Sequence, residues 1–367
     1  MVKTREYTWK DLEDAIGQDF SDGQVHWGAE NLAWNDIRRF LEPLEMDCPL
    51  YYSDEVARKH GYKGVPLPLS MYQTLDRPII WKPGDPTRWP VLERNIRAGT
   101  DPEEAERPMP APPTKAGFAT DREIEYLQPV YLGDRLGVRG SKLLSVAVRE
   151  TSVGHGAFVL TETEILNQRH EVVALFRSGG YRYNPHPKGY VPNLPPDPER
   201  PRPSSGGREV PPARASYVDW SKQRYFEDVA VGDEVPPVTY HMTVQRFVIE
   251  AGGNRDFSPI HHNTEVAQGQ RAPEMFANNG FIQAMWERAY REYLGLDGMV
   301  KKVGPFRMRI FNTVAESVVT KGVVKRKWQD KGENLVELEM WSEISRGISV
   351  GPGPVLATLP SRPRPAR

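Results

Sequence analysis

The chain has 367 residues, 38% hydrophobic and 26% charged, with a formal net charge of −1. Such a composition suits a soluble globular protein, and the length exceeds one comfortable core, which predicts two domains. The near-neutral balance excludes a chain drawn as a whole to nucleic acid or to an anionic membrane.

The first residues, "MVKTREYTWKDLEDAIG", are too charged for a signal peptide. No apolar run approaches the roughly 20 residues needed to span a bilayer. The single cysteine, Cys48, rules out an intrachain disulfide and fits a reducing compartment. The expectation is a soluble cytoplasmic protein.

In chain order, an apolar helix-like segment, "IRRFLEPL" (37–44), comes first, followed by "DCPLYYSDEVARKHGY" (47–62). Pro66 and Pro68 interrupt the next stretch, where they disfavour a regular helix. Residues 82–113 form a Pro-rich, charged excursion. Residues 122–183 alternate and are rich in β-branched types, which predicts successive antiparallel strands. Residues 185–212 hold ten prolines and read as a semi-extended linker, placing domains at 1–184 and 216–367 with the linker at 185–215.

The second domain repeats this order. "VQRFVIEAGG" (244–253) is helix-like, and "FSPIHHNTEVAQGQRA" (257–272) aligns without a gap under 47–62. Pro49 matches Pro259, Leu50 matches Ile260, Tyr51 matches His261, and Glu55-Val56-Ala57 matches Glu265-Val266-Ala267. The recurrence at equivalent places predicts duplication of one fold. A long amphipathic helix is expected over 273–295, starting near Asn278-Asn279-Gly280, with Ala284, Met285, Ala289 and Leu294 inside. Glu287, Arg288, Arg291 and Glu292 are expected on its wet face. Residues 306–345 supply strands again. The short basic run Lys325-Arg326-Lys327 reads as an exposed strand face.

Within "GGNRDFSPIHHNTEVAQ" (252–268), Asp256 and His261 are five residues apart, the wrong spacing for one helix face. Pro259 fixes its own φ and holds Ser258 extended, so a stiff turn brings the two side chains together ahead of a helix capped at Asn263 or Thr264. A carboxylate beside an imidazole orients it and raises its basicity, and the pair can position and deprotonate a water. The start of the 273–295 helix offers free N–H groups, and Gly280 lets a ligand approach them, the makings of an oxyanion hole. His262 should point away from this pocket.

The string "DFSPIHHNTEVA" resembles the hydratase-2 motif of MaoC-like enoyl-CoA hydratases, Gly-Asp-any-Asn-Pro-aliphatic-His, then five residues, then Ala or Ser. Asp256, Pro259, Ile260, His261 and Ala267 match in register, while Arg255 replaces the Gly and Ser258 the Asn. "YFEDVAVGDEVPPVTYHMT" (225–243) resembles the usual lead-in. The first half, with "ENLAWNDIRRFLEPL" and "REIEYLQPVYLGDRL", resembles the FAS1-like dehydratase domain often fused before it. The resemblance implies an α+β double hotdog, each repeat an antiparallel sheet wrapped around a central helix. It implies catalytic roles for Asp256 and His261, an oxyanion and orienting role for Gly280 and Ser258, and a first half that carries no acid–base pair and leaves room for a bulky acyl chain. The implied substrate is an acyl thioester of coenzyme A, with no metal and no separate cofactor. Arg307, Arg309 and Asn279 are the candidate substrate-binding residues. A homodimer or a partner hydratase chain is compatible with the pattern. Two other readings stand beside this one: a non-catalytic acyl-CoA-binding or partner subunit, and a hotdog thioesterase. The thioesterase reading needs a carboxylate or nucleophile where Asn278 and Asn279 stand.

Overall fold

The computed structural model describes residues 6–74, 79–92, 109–187, 190, 218–270 and 272–363. Most of the Pro-rich linker and the middle of the 82–113 excursion lie outside the described residues. Elements run in the order α1 (Trp9–Asp14), β1 (His26–Trp27), α2 (Trp34–Leu41), α3 (Asp54–Lys59), β2 (Ala116–Tyr126), β3 (Leu136–Glu150), β4 (Gly154–Asn167) and β5 (Val172–Pro185). The second half gives β6 (Glu234–His241), α4 (Val244–Asn254), α5 (Thr264–Gly269), α6 (Asn279–Leu294), β7 (Met299–Arg307), β8 (Ser317–Asp330), β9 (Glu333–Ile344) and β10 (Gly347–Thr358).

All ten strands form one antiparallel sheet in the order β1-β3-β4-β5-β2-β7-β10-β9-β8-β6. Read inward from each end, the order is the same: the halves are mirrored about the β2–β7 pair, where Asp121 faces Arg307 and Arg122 faces Phe306. Trp34 and Val244, Pro49 and Pro259, Asp54 and Thr264, Leu69 and Asn279 open equivalent elements at one constant separation. The duplication expected from the sequence is thus present in three dimensions, as a double hotdog.

Alternation makes the strands: in β9, Val336, Leu338 and Met340 are buried while Glu337 and Glu339 pair outward with Arg326 and Lys325 on β8. The basic run therefore does lie on a wet strand face. Strand β10 lies beyond the 306–345 stretch that the sequence marks as strands, and its "GPGP" (351–354) breaks the alternation. The structure accommodates it by register shifts between Ile348 and Gly353.

Two features of the core differ from expectation. Helix α6 is buried all round: Glu287 and Arg288 are each 1% exposed and Arg291 is 2% exposed, so the expected wet face is instead the contact with the first half. Arg288 Nη1 donates to the Leu44 carbonyl at 2.7 Å and its Nε pairs with Glu292 at 2.9 Å, while Arg291 Nη1 donates to Gly298 O at 2.6 Å. In the first half the counterpart of α6 begins, among the described residues, as a 3₁₀ turn at Leu69–Gln73, led in by Pro66 and Pro68. Helix α2 packs directly on α4, and Gly253 permits it: a Cβ there would sit 2.8 Å from the Arg39 carbonyl oxygen.

Candidate active site

The Asp256–His261 turn forms as the proline predicts. A 3₁₀ turn spans Pro259–His261 with Ser258 extended before it, and His261 N donates to Ser258 O at 3.0 Å. Helix α5 starts immediately after, capped by Asn263, whose side chain accepts from Glu265 N and Val266 N. Ahead of the turn, α4 ends at Arg255 in the left-handed region, φ 59°. This accounts for glycine at that position in the resembling motif: the chain must reverse here, and only glycine does so without Cβ strain.

His261 is 8% exposed. Its Nδ1 donates to the Phe276 carbonyl at 2.8 Å, which fixes the tautomer and leaves the Nε2 lone pair facing Asp256 Oδ2 at 3.7 Å. That separation is beyond a direct hydrogen bond, yet a water about 2.8 Å from both atoms would fit it. Burial pushes the imidazole below its ordinary pKa of 6.5, although the Asp256 carboxylate and the Phe276 carbonyl pull the other way. Burial therefore favours the unprotonated imidazole of His261 near neutral pH. The Ser258 backbone N–H donates to Asp256 Oδ1 at 3.3 Å. His262 is exposed and its Nε2 lies 3.3 Å from the Phe257 carbonyl, away from the pair.

The turn is tied to the start of α6 by Asn278, which the sequence placed at the helix start, and by Asn254, which it did not single out. Asp256 N donates to Asn254 Oδ1 at 2.9 Å, and Asn254 Nδ2 donates to Asn278 Oδ1 at 3.1 Å. Asn278 caps α6, its Oδ1 accepting from Phe281 N at 2.8 Å. The N–H groups of Asn279 and Gly280 fall in the first turn, where no preceding carbonyl of the helix accepts them. A Cβ on Gly280 would meet Arg122 Nη1, Asn254 Nδ2 and Asn278 Oδ1 at 3.3–3.4 Å, so Arg122, from the first half, reaches the α6 N-terminus. The Asn279 side-chain nitrogen is buried and has no hydrogen-bond partner among the described residues. Arg307, at the end of β7, pairs with Asp121 at 3.0 Å while staying largely exposed, and Arg309 Nε donates to Gly351 O at 2.5 Å. A polar residue on a buried helix face was the available signal: Glu250 and Asn254 share the α4 face of Phe247 and Ala251.

The equivalent place in the first half is filled. Tyr51 stands where His261 does, Met46 where Asp256 does, and Ser70 where Gly280 does. The Glu287 carboxylate, reaching over from α6, accepts from Tyr51 OH at 2.7 Å, Leu69 N at 2.8 Å, Ser70 N at 2.7 Å and Ser70 Oγ at 2.5 Å. Burial and this carboxylate hold the Tyr51 hydroxyl well above its usual pKa.

Comparison with known proteins agrees with this architecture. The family model described as "FAS1-like, dehydratase domain region" matches residues 15–176. A protein of Thermomonospora curvata described as a probable enoyl-CoA hydratase alpha subunit is 29% identical over 154 residues, 41% of this chain and 44% of that one, so the match spans less than half of the relative. A solved structure described as a MaoC-like dehydratase superposes with a TM-score of 0.65 at 16% identity, covering 95% of this chain and all of that one. A Mycobacterium tuberculosis protein described as a double hotdog gives a TM-score of 0.56 at 10% identity, covering 95% of this chain and 97% of that one. Residues 15–176 thus resemble a FAS1-like dehydratase domain region, and the chain as a whole has the double hotdog fold.

Proposed function

We propose that the protein hydrates a trans-2-enoyl thioester of coenzyme A to the (R)-3-hydroxyacyl-CoA, or catalyses the reverse dehydration. The observation that carries the reading is His261, neutral and fixed in one tautomer, with Nε2 opposite the Asp256 carboxylate and a shared water's width between them. Asp256 and Nε2 hold the water. Nε2 takes its proton as the oxygen attacks the β-carbon, and a proton returns to the α-carbon on the same face. One C–O and one C–H bond form, the C=C π bond is lost, and nothing is oxidised or reduced. The thioester carbonyl accepts from the Gly280 N–H, with the Asn279 side chain as a second donor, so charge developing on its oxygen is stabilised. Arg307 and Arg309 supply positive charge toward the coenzyme A phosphates. This chemistry calls for no metal and no cofactor beyond the coenzyme A of the substrate.

The name of the T. curvata relative, an alpha subunit, supports a working form with a second chain, either another copy or a partner hydratase. The same observation favours a second reading, an acyl-CoA-binding subunit without chemistry of its own. Hydration of a graded panel of enoyl-CoAs from crotonyl-CoA upward, with product chirality, separates the two. Asp256→Ala and His261→Ala should each lose roughly 10²–10⁴-fold in rate with an unchanged circular dichroism spectrum. Full activity in either variant refutes the assignment, and release of free coenzyme A thiol would select a thioesterase instead.

A further inference from the structure

Glu250 takes no part in the chemistry above. It is nevertheless 4% exposed, and it sits where two parts of the site meet. Asn278 Nδ2 donates to both of its oxygens, at 3.0 and 3.1 Å, and Asn254 Nδ2 donates to Oε1. Each asparagine also holds one catalytic element. Asn254 Oδ1 accepts the Asp256 N–H, and Asn278 Oδ1 caps the helix that begins with Asn279 and Gly280. The two amides touch each other as well. The first half has Phe40, Leu44 and Pro68 at the corresponding positions, so this polar bridge belongs only to the half that carries the Asp–His pair.

We propose that Glu250 is a positioning residue: through Asn254 and Asn278 it sets the separation between the Asp256–His261 turn and the α6 N-terminus, and hence between the water and the thioester carbonyl. The inference rests on the proposed reading of that site. Glu250 does this as the shared acceptor of the two side-chain amides. Burial holds its carboxyl well above the ordinary range, the Asp256 charge adds to that, and the two amides and Arg122 oppose it only in part. The charged groups acting on it are Asp256, which follows α4, and Arg122 on β2; on the α2 side Glu45 is engaged with Arg246 at 3.3 Å.

The test compares Glu250→Gln, an uncharged isostere, with Glu250→Ala. Glu250→Ala should lose about 100-fold in kcat on crotonyl-CoA with KM unchanged, as expected when reacting groups shift by about 1 Å. Glu250→Gln, which keeps a side-chain oxygen to accept from Asn254 and Asn278, should restore most of the wild-type kcat. Wild-type kcat in Glu250→Ala, or a Glu250→Gln as slow as Glu250→Ala, overturns the proposal. A substrate-free measurement separates this failure from failure of the hydratase reading. In the NMR titration of the His261 ring, Glu250→Ala should raise the midpoint toward the ordinary value by loosening the pocket, and Glu250→Gln should leave it in place. An unmoved midpoint in Glu250→Ala overturns the proposal whether or not the protein hydrates any enoyl-CoA.

Discussion

Replacing Glu287 with alanine tests whether the first half is fastened to α6 by a carboxylate. The substitution strips four donors of their acceptor at once: Tyr51 OH, the Leu69 and Ser70 N–H groups, and Ser70 Oγ. Ser70, Tyr51 and Glu287 are all buried, so water cannot take over without opening the interface. At the low end of the cost of an unsatisfied buried donor, about 1 kcal/mol each, the loss is about 4 kcal/mol. An unfolding entropy of ~2.1 cal/mol/K per residue gives roughly 0.8 kcal/mol/K for a chain of this length, so Tm should fall by about 5 °C. Scanning calorimetry and urea unfolding measure it. Tyr51→Phe removes one donor and should cost about 1 kcal/mol alone, but close to nothing once Glu287 is gone. A Glu287→Ala protein as stable as the wild type, or strict additivity with Tyr51→Phe, would refute the fastening.

Three further outcomes follow from the same geometry. Because burial lowers the His261 pKa, the unprotonated base persists at pH 7, and kcat/KM should fall only as pH drops through the lowered value, below 6.5. The unfolded chain binds more protons in that window, so stability should decline with the same sign, which pH-dependent urea melts would show. Arg255→Gly relieves a left-handed residue and should change stability by no more than about 1 kcal/mol in either direction, strain relief offsetting chain entropy, with hydration kept. A large loss of activity there would mean that the Arg255 side chain itself works in the site. Gly253→Ala forces a methyl against the Arg39 carbonyl and should destabilise by about 1–2 kcal/mol through separation of α2 from α4, read as a lower urea midpoint.

The sequence by itself determined the turn and the repeat. Pro259 restricts two residues locally, so the Asp256–His261 approach follows from bonded geometry, and the in-register pairing of 47–62 with 257–272 carries the duplication. Strand periodicity likewise located β3 to β5, β8 and β9, since alternation is a property of neighbouring residues. Tertiary structure alone decided what happens to polar side chains that the pattern assigns to water. Glu287, Arg288 and Arg291 have the spacing of a solvated helix face, yet that face meets the first half, where Tyr51, Leu69, Ser70 and the Leu44 carbonyl accept or donate in place of solvent. Glu250 and Arg122 converge on the α6 N-terminus from α4 and β2, elements more than a hundred residues apart. Hydrogen bonds of that kind depend on distances that the fold creates, and the order of residues along the chain does not encode them locally.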